Sequence, residues 1–271
     1  MKAIISTTYS DTYLYFLPIV TWAWNKLGVD VICFIPDGYS THKTNKQLDI
    51  FSLAYYTSKN ISPSFGYKSF ICPEHKEATY AQCSRLYGAC LDLPKEELLI
   101  IGDIDMAIFQ VPIPVDYQDG ITIFGSDLTN EGQYPMCYAS GTVNDWRKAM
   151  DLEGKSYQQC LDELLVDIEC ENMRGNYWSK DQQELWEKLR HKKVNLIPRA
   201  RPNTQFADHR VDRDDVNWRA YVNDDLIDAH LWRDGYTDQN HANIMELFRM
   251  KYPHDDFTWL ENYRQSYLKL L

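Results

Sequence analysis

Asp103 and Asp105 stand one residue apart, directly after the apolar run Leu98-Leu99-Ile100-Ile101-Gly102. On an extended chain, side chains two apart project to the same side. The two carboxylates can therefore hold one hard divalent cation, Mg²⁺ or Mn²⁺, by oxygen ligation. The coordination positions left open on that cation suit a diphosphate. A run without polar breaks is what a strand covered on both faces requires. Ligands of open α/β sheets bind just beyond the carboxyl ends of such strands. The competing reading is two solvated aspartates in a turn.

A pair of this kind needs an architecture that presents it, and the flanking chain alternates strand-like and helix-like patterns. Residues 3–7 form a short apolar run, and residues 11–27 read as one helix stopped by Gly28. Residues 29–35 are β-branched and end in the turn Pro36-Asp37-Gly38. A helix over 46–58, a strand over 68–72 and a helix over 77–91 follow. Tyr80, Cys83, Tyr87 and Cys90 share one stripe of that last helix and read as core. The β-α-β-α order predicts an α/β domain with a largely parallel sheet. The second half is less regular. Strands are expected over 121–124, 136–139 and 195–198, and helices over 146–150, 156–172 and 179–190. Ser156 and Ser179 each have Gln three residues later, the pattern of a capping box. Residues 199–225 read as a polar loop or flap, and 241–271 as two helices separated near Pro253.

Composition narrows the partners. The 271 residues carry a net charge of −11, which argues against a general nucleic-acid binder, since phosphate contact needs a basic footprint. An anionic ligand then needs local arginine or lysine, or a metal ion. Tyr and Trp number 19 and 8 against 10 Phe, so most rings carry a polar handle suited to surfaces that stack and hydrogen-bond. The seven cysteines form no C-x-x-C pair and are odd in number, which favours reduced thiols in a cytoplasmic protein. No stretch reaches the ~20 apolar residues of a membrane helix. The start of the chain lacks the basic region and cleavage site of a signal peptide.

Several short motifs, in order, resemble the GT-A glycosyltransferases. They are Ala81-Gln82-Cys83-Ser84-Arg85-Leu86, then Ile101-Gly102-Asp103-Ile104-Asp105, then Tyr138-Ala139-Ser140-Gly141 with Trp146-Arg147 following. Trp178-Ser179-Lys180-Asp181-Gln182 and Asp228-Ala229-His230 complete the series. The resemblance implies that Asp103 faces the ribose or the metal, that Asp105 ligates the metal and bridges it to the diphosphate, and that His230 is a further ligand. It implies that Arg85 meets the donor's phosphate or sugar, and that Thr7, Thr8 and Tyr9 hold the nucleoside. Ser140 and Gly141 would lie beside the donor sugar, where glycine permits close backbone approach. Gln182 would bond that sugar. Each has a plainer alternative: a solvated Arg, an ordinary His, a strand end, a tight turn, a cap.

Asp181 falls in the first turn of its helix, where the dipole favours a carboxylate without any function. Beside a sugar, the same ionised group can act as general base toward an acceptor hydroxyl. Trp178 and Trp232 are candidates to stack on the acceptor, with core packing as the alternative. The expected protein is a single GT-A (Rossmann-like) α/β domain over 1–235, with a mixed, mostly parallel sheet. Its nucleotide-binding half is 1–105 and its acceptor and metal half 106–235, with a helical extension over 236–271. The expected activity is Mn²⁺- or Mg²⁺-dependent transfer from a nucleotide sugar, UDP-linked by family frequency, to a glycan hydroxyl. Inversion through Asp181 is expected, and retention is the alternative. Rival classes are an Asp-nucleophile phosphohydrolase and a silent sugar-nucleotide-binding protein.

Overall fold

A computed structural model describes residues 1–38, 41–111, 120–130, 132–166, 179–198 and 210–271. The strands are β1 (Lys2–Ser6), β2 (Asp30–Pro36), β3 (Gly66–Phe70), β4 (Leu98–Gly102) and β5 (Met106–Ile108), followed by β6 (Ile121–Phe124), β7 (Tyr138–Thr142), β8 (Val194–Ile197), β9 (Arg210–Val211) and β10 (Asp228–His230). The helices are α1 (Asp11–Leu14), α2 (Phe16–Lys26), α3 (Asn45–Ile61), α4 (Glu77–Ser84) and α5 (Val143–Ala149), then α6 (Tyr157–Leu165), α7 (Lys180–Leu189), α8 (Asp238–Lys251) and α9 (Thr258–Leu268). A 3₁₀ turn, Arg85–Cys90, continues α4.

The main sheet has the order β3-β2-β1-β4-β7-β6-β8. Only β7 runs against its neighbours β4 and β6; the other pairings are parallel. This is the mixed, mostly parallel α/β fold expected. Ala3, Ile4 and Ile5 of β1 are all fully buried. Ala3 and Ile5 join the apolar layer of α2, α8 and α9, whereas Ile4 joins the opposite layer with α4, α5, α6 and α7. Alternation on a strand covered on both faces produces this split.

A cluster of tyrosines and tryptophans binds α1 and α2 to the C-terminal helices. Trp22 stacks on Phe248 at 5.2 Å, and Tyr15 on Tyr263 at 5.4 Å. Two of the hydroxyls tie back to the first helix: that of Tyr263 donates to the Leu14 carbonyl, and that of Tyr267 to the Asp11 carbonyl. The expected single helix over 11–27 is interrupted at Tyr15. Pro18 has no N–H to give the carbonyl four residues back, and that carbonyl, on Leu14, accepts from Tyr263 at 3.3 Å instead. Gly28, at φ +72°, ends α2 as expected.

A second sheet, β5-β10-β9, has no counterpart in the sequence reading. Its strands have two or three residues each, too few for periodicity to show. Two further expectations change. The strand placed over 136–139 runs from Tyr138 to Thr142, and the following helix starts early at Val143, under a capping box between Thr142 and Asp145. The box at Ser156 and Gln159 forms, but Ser179 does not cap α7. Its Oγ instead accepts from the side-chain amides of Gln133 and Gln183, both at 3.1 Å. Six cysteines are free thiols, and Cys170 lies outside the described residues. Among the described residues no helix is long and apolar enough to cross a membrane.

Candidate active site

The carboxyl end of β4 opens into a cavity of about 360 Å³. Thr7 and Thr8 after β1, Arg85 after α4, and Asp103 and Asp105 after β4 line it. Asp181 and Gln182 at the start of α7 and His230 at the end of β10 complete the predicted residues that meet there. They come from five separate stretches of chain.

Arg85 holds one side of the cavity together. Its Nη1 donates to the Gly102 carbonyl at 2.9 Å and to the Asp103 carboxylate, its Nη2 donates to Asp181 Oδ2 at 2.7 Å, and its Nε to the Gln82 carbonyl at 3.2 Å. The arginine and Asp181 are nearly closed to solvent, with side chains 6% and 2% exposed, while Asp103 keeps 34%. Burial disfavours the Arg85 charge, but the two carboxylates outweigh it, and the guanidinium is held more firmly protonated than usual. Burial pushes the Asp103 carboxyl above the usual carboxylate range; Arg85 pulls it back, and nearby Asp105 and Asp181 push it up.

The other side is built on Asp105. Pairing of β10 with β5 sets His230 opposite Met106, next in chain to Asp105. The Leu231 N–H donates to the Asp105 carbonyl at 2.8 Å. His230 Nε2 then lies 3.3 Å from Asp105 Oδ2, and Arg213 Nη1 donates to that same oxygen at 3.0 Å. Burial alone would raise Asp105; the bonds and charges of His230 and Arg213 prevail and hold it below the usual range.

Four predicted residues stand elsewhere. Ser140 and Gly141 do not line the cavity. Because β7 is antiparallel to β4, its beginning lies at the carboxyl end of β4: Tyr138 faces Gly102, whereas Ser140 faces Ile100 and Gly141 faces Leu99. Met136, just before β7, lines the cavity instead. Gly141 meets a packing need, since a Cβ there would lie 2.6 Å from Ile121 Cδ1. Ser140 is fully buried, and its Oγ has no hydrogen-bond partner among the described residues. Tyr9 turns away from the cavity to sit edge-on against Phe51 at 5.6 Å, and burial, aided by Asp37, pushes its phenol up to about 12. Trp232 packs edge-on against Trp218 at 5.0 Å in the apolar layer. Trp178 lies outside the described residues. Three further lining residues, Tyr13, Arg213 and Arg233, were not anticipated. Arg213 is flanked by Asp212, Asp214 and Asp215 and reads in sequence as part of a solvated loop. Its place at Asp105 depends on the short pairing of β9 with β10 and on the Arg210–Asp228 ion pair, which has bonds of 2.5 and 2.8 Å.

Among the described residues, no three His, Cys, Asp or Glu side chains converge as a preformed metal cage. The convergent donors are Asp105 and His230, with Asp103 turned onto Arg85. One carboxylate and one imidazole that both line a cavity fit a hard or borderline cation whose remaining shell comes from water and phosphate oxygens.

No protein-family model and no curated protein matches the chain. Solved structures similar to it include the galactosyltransferase LgtC in complex with donor and acceptor sugar analogs, at 9% identity over 97% of this chain and 100% of that one, with a TM-score of 0.45. The mannosyltransferase PcManGT from Pyrobaculum calidifontis, in complex with GDP-Man and Mn²⁺, is 10% identical over 99% of this chain and 73% of that one, with a TM-score of 0.39. GlyE of Streptococcus pneumoniae TIGR4, a glycosyltransferase in its apo form, is 7% identical over 99% of this chain and 63% of that one, with a TM-score of 0.42. Likeness at that level leaves the chemistry to be read from the site itself.

Proposed function

We propose that this protein is a metal-assisted glycosyltransferase of GT-A type. It moves a sugar from a nucleoside-diphosphate sugar to a hydroxyl of a glycan acceptor. The observation that carries the reading is the convergence of Asp105 and His230 at 3.3 Å at the carboxyl end of β4, within a cavity also lined by Arg213 and Arg233. A divalent cation held by Asp105 and His230 would stabilise the negative charge that develops on the departing diphosphate. Arg233 adds fixed positive charge to the same wall. Thr7 and Thr8, after β1, offer hydroxyls to the nucleoside, and Gln182 offers its amide to the donor sugar.

In this reading Asp181 positions the site. Its Oδ2 is bonded to Arg85, and its Oδ1 accepts from the Gln182 N–H at 2.8 Å. With its side chain 2% exposed and both oxygens already bonded, Asp181 presents little to an acceptor hydroxyl. That geometry favours the retaining course over inversion. The bond from the anomeric carbon to the diphosphate oxygen breaks, the bond to the acceptor oxygen forms on the same face, and the acceptor proton passes to the diphosphate. NMR of the product's anomeric proton checks this: the donor's configuration is expected, and the opposite one restores Asp181 as candidate base.

Binding is tested by thermal unfolding with Mn²⁺ and a panel of UDP-, GDP- and dTDP-sugars. One donor, with UDP the first candidate, should stabilise the fold by about 2.7 kcal/mol at a hundredfold excess over its Kd. No rise in Tm with any of them would overturn the reading.

A further inference from the structure

We propose that Arg213 is a placeholder cation that keeps a free metal ion off Asp105 until the nucleotide arrives; the inference rests on the transferase reading above. The guanidinium and the imidazole converge on a single atom. Asp105 Oδ2 lies 3.0 Å from Arg213 Nη1 and 3.3 Å from His230 Nε2. Arg213 Nη1 is also 3.5 Å from the Leu231 carbonyl, on the residue that follows His230. The pair is largely closed to solvent, with side chains 14% and 10% exposed. Its place is set by the backbone: Val211 of β9 pairs with Ala229 of β10, the neighbour of His230.

An arginine side chain cannot give up its proton in a protein. Its charge therefore stands against any dication that uses Asp105 and His230 together, and poor solvation strengthens the repulsion. For the cation to bind, Arg213 must leave Oδ2. The cavity supplies a destination, because Arg213 and Arg233 both line the space that a diphosphate would enter. A guanidinium matches phosphate oxygens as well as it matches a carboxylate. Nucleotide and metal then favour one another beyond their direct contact: the diphosphate draws Arg213 away and frees Asp105. Linkage makes the effect reciprocal. The donor is captured before, or together with, its metal, and the bare protein resists stray divalent ions.

The test reads Mn²⁺ affinity directly, by electron paramagnetic resonance of the free ion, with and without UDP. Wild type, Arg213→Met, Arg213→Lys and Asp105→Asn are compared. Without UDP, Arg213→Met should bind Mn²⁺ at least tenfold more tightly than wild type, while Arg213→Lys, which keeps the charge, stays within about threefold of wild type. The ratio of Mn²⁺ Kd without UDP to that with UDP should shrink at least fivefold in Arg213→Met. Unchanged or weaker Mn²⁺ binding in Arg213→Met overturns the proposal, since an arginine that only braces the loop gives that result. Arg213→Gln is read by the same criterion should the Met variant fail to fold. Asp105→Asn separates the two ideas. If it binds Mn²⁺ as well as wild type does, the metal reading itself fails; if it alone loses Mn²⁺ and Arg213→Met matches wild type, only the role of Arg213 fails.

Discussion

Arg85→Met lowers the stability of the protein by about 3–5 kcal/mol, the range for removing one partner of a buried ion pair. The guanidinium serves four acceptors: two carboxylates, Asp103 and Asp181, and the carbonyls of Gly102 and Gln82. Methionine fills much of the same volume and supplies none of the bonds. Asp181, with a side chain only 2% exposed, is left with the Gln182 N–H and no counter-charge. Asp103 opens toward the cavity and reaches water, so Asp181 dominates the loss. Urea unfolding should show a lower midpoint at unchanged slope. The double variant Arg85→Met with Asp181→Leu should recover much of the loss, because an apolar pair of matching volume carries no buried charge. A loss below about 1 kcal/mol in the single variant would mean that the bridge between β4 and α7 adds little.

Asp105→Asn is the second large effect. The substitution keeps the shape and leaves an amide oxygen able to accept from Arg213, but it removes the counter-charge of a largely closed pair, so some stability is lost beside the kinetic effect. It removes the negative charge that, with His230, would hold the cation. Losing one preorganised charged group at a developing charge typically costs 10²–10³ in rate. Loss of the metal's grip adds to that, and turnover should fall at least about 10³-fold. Metal dependence should weaken in parallel, because the remaining imidazole is a single donor.

The parts of this picture that were legible in sequence share a physical cause. The Leu98–Gly102 strand is apolar throughout because both its faces are covered, and the two aspartates that follow it stand out against that run. The Ser156 cap was legible because capping is local. Ser179 carries the same pattern, but Gln133, distant in sequence, helps to take its hydroxyl. Ser140 and Gly141 stand away from the cavity because of the direction of β7, which no local pattern encodes. A parallel strand would have brought its far end to the site; the antiparallel one brings Met136. Arg213 was invisible for a related reason. It reaches Asp105 through β9 and β10, two and three residues long, and its acidic neighbours give it the look of a solvated loop. Of the aromatic excess, sequence offers only Trp178 and Trp232 to a sugar and leaves most of the rest to the core. One cluster of these rings seats α8 and α9 on α1 and α2, while Tyr9 packs on Phe51 and Trp232 on Trp218.

The most direct test is turnover. Wild type and Asp105→Asn are incubated with Mn²⁺ and each nucleotide sugar in turn, and released nucleoside diphosphate is measured, first by slow donor hydrolysis and then with glycan acceptors. The account predicts release from one donor by the wild type, abolished by chelating the metal and reduced at least about 10³-fold in Asp105→Asn. Release from no donor, or release that Asp105→Asn and metal chelation leave intact, would contradict it.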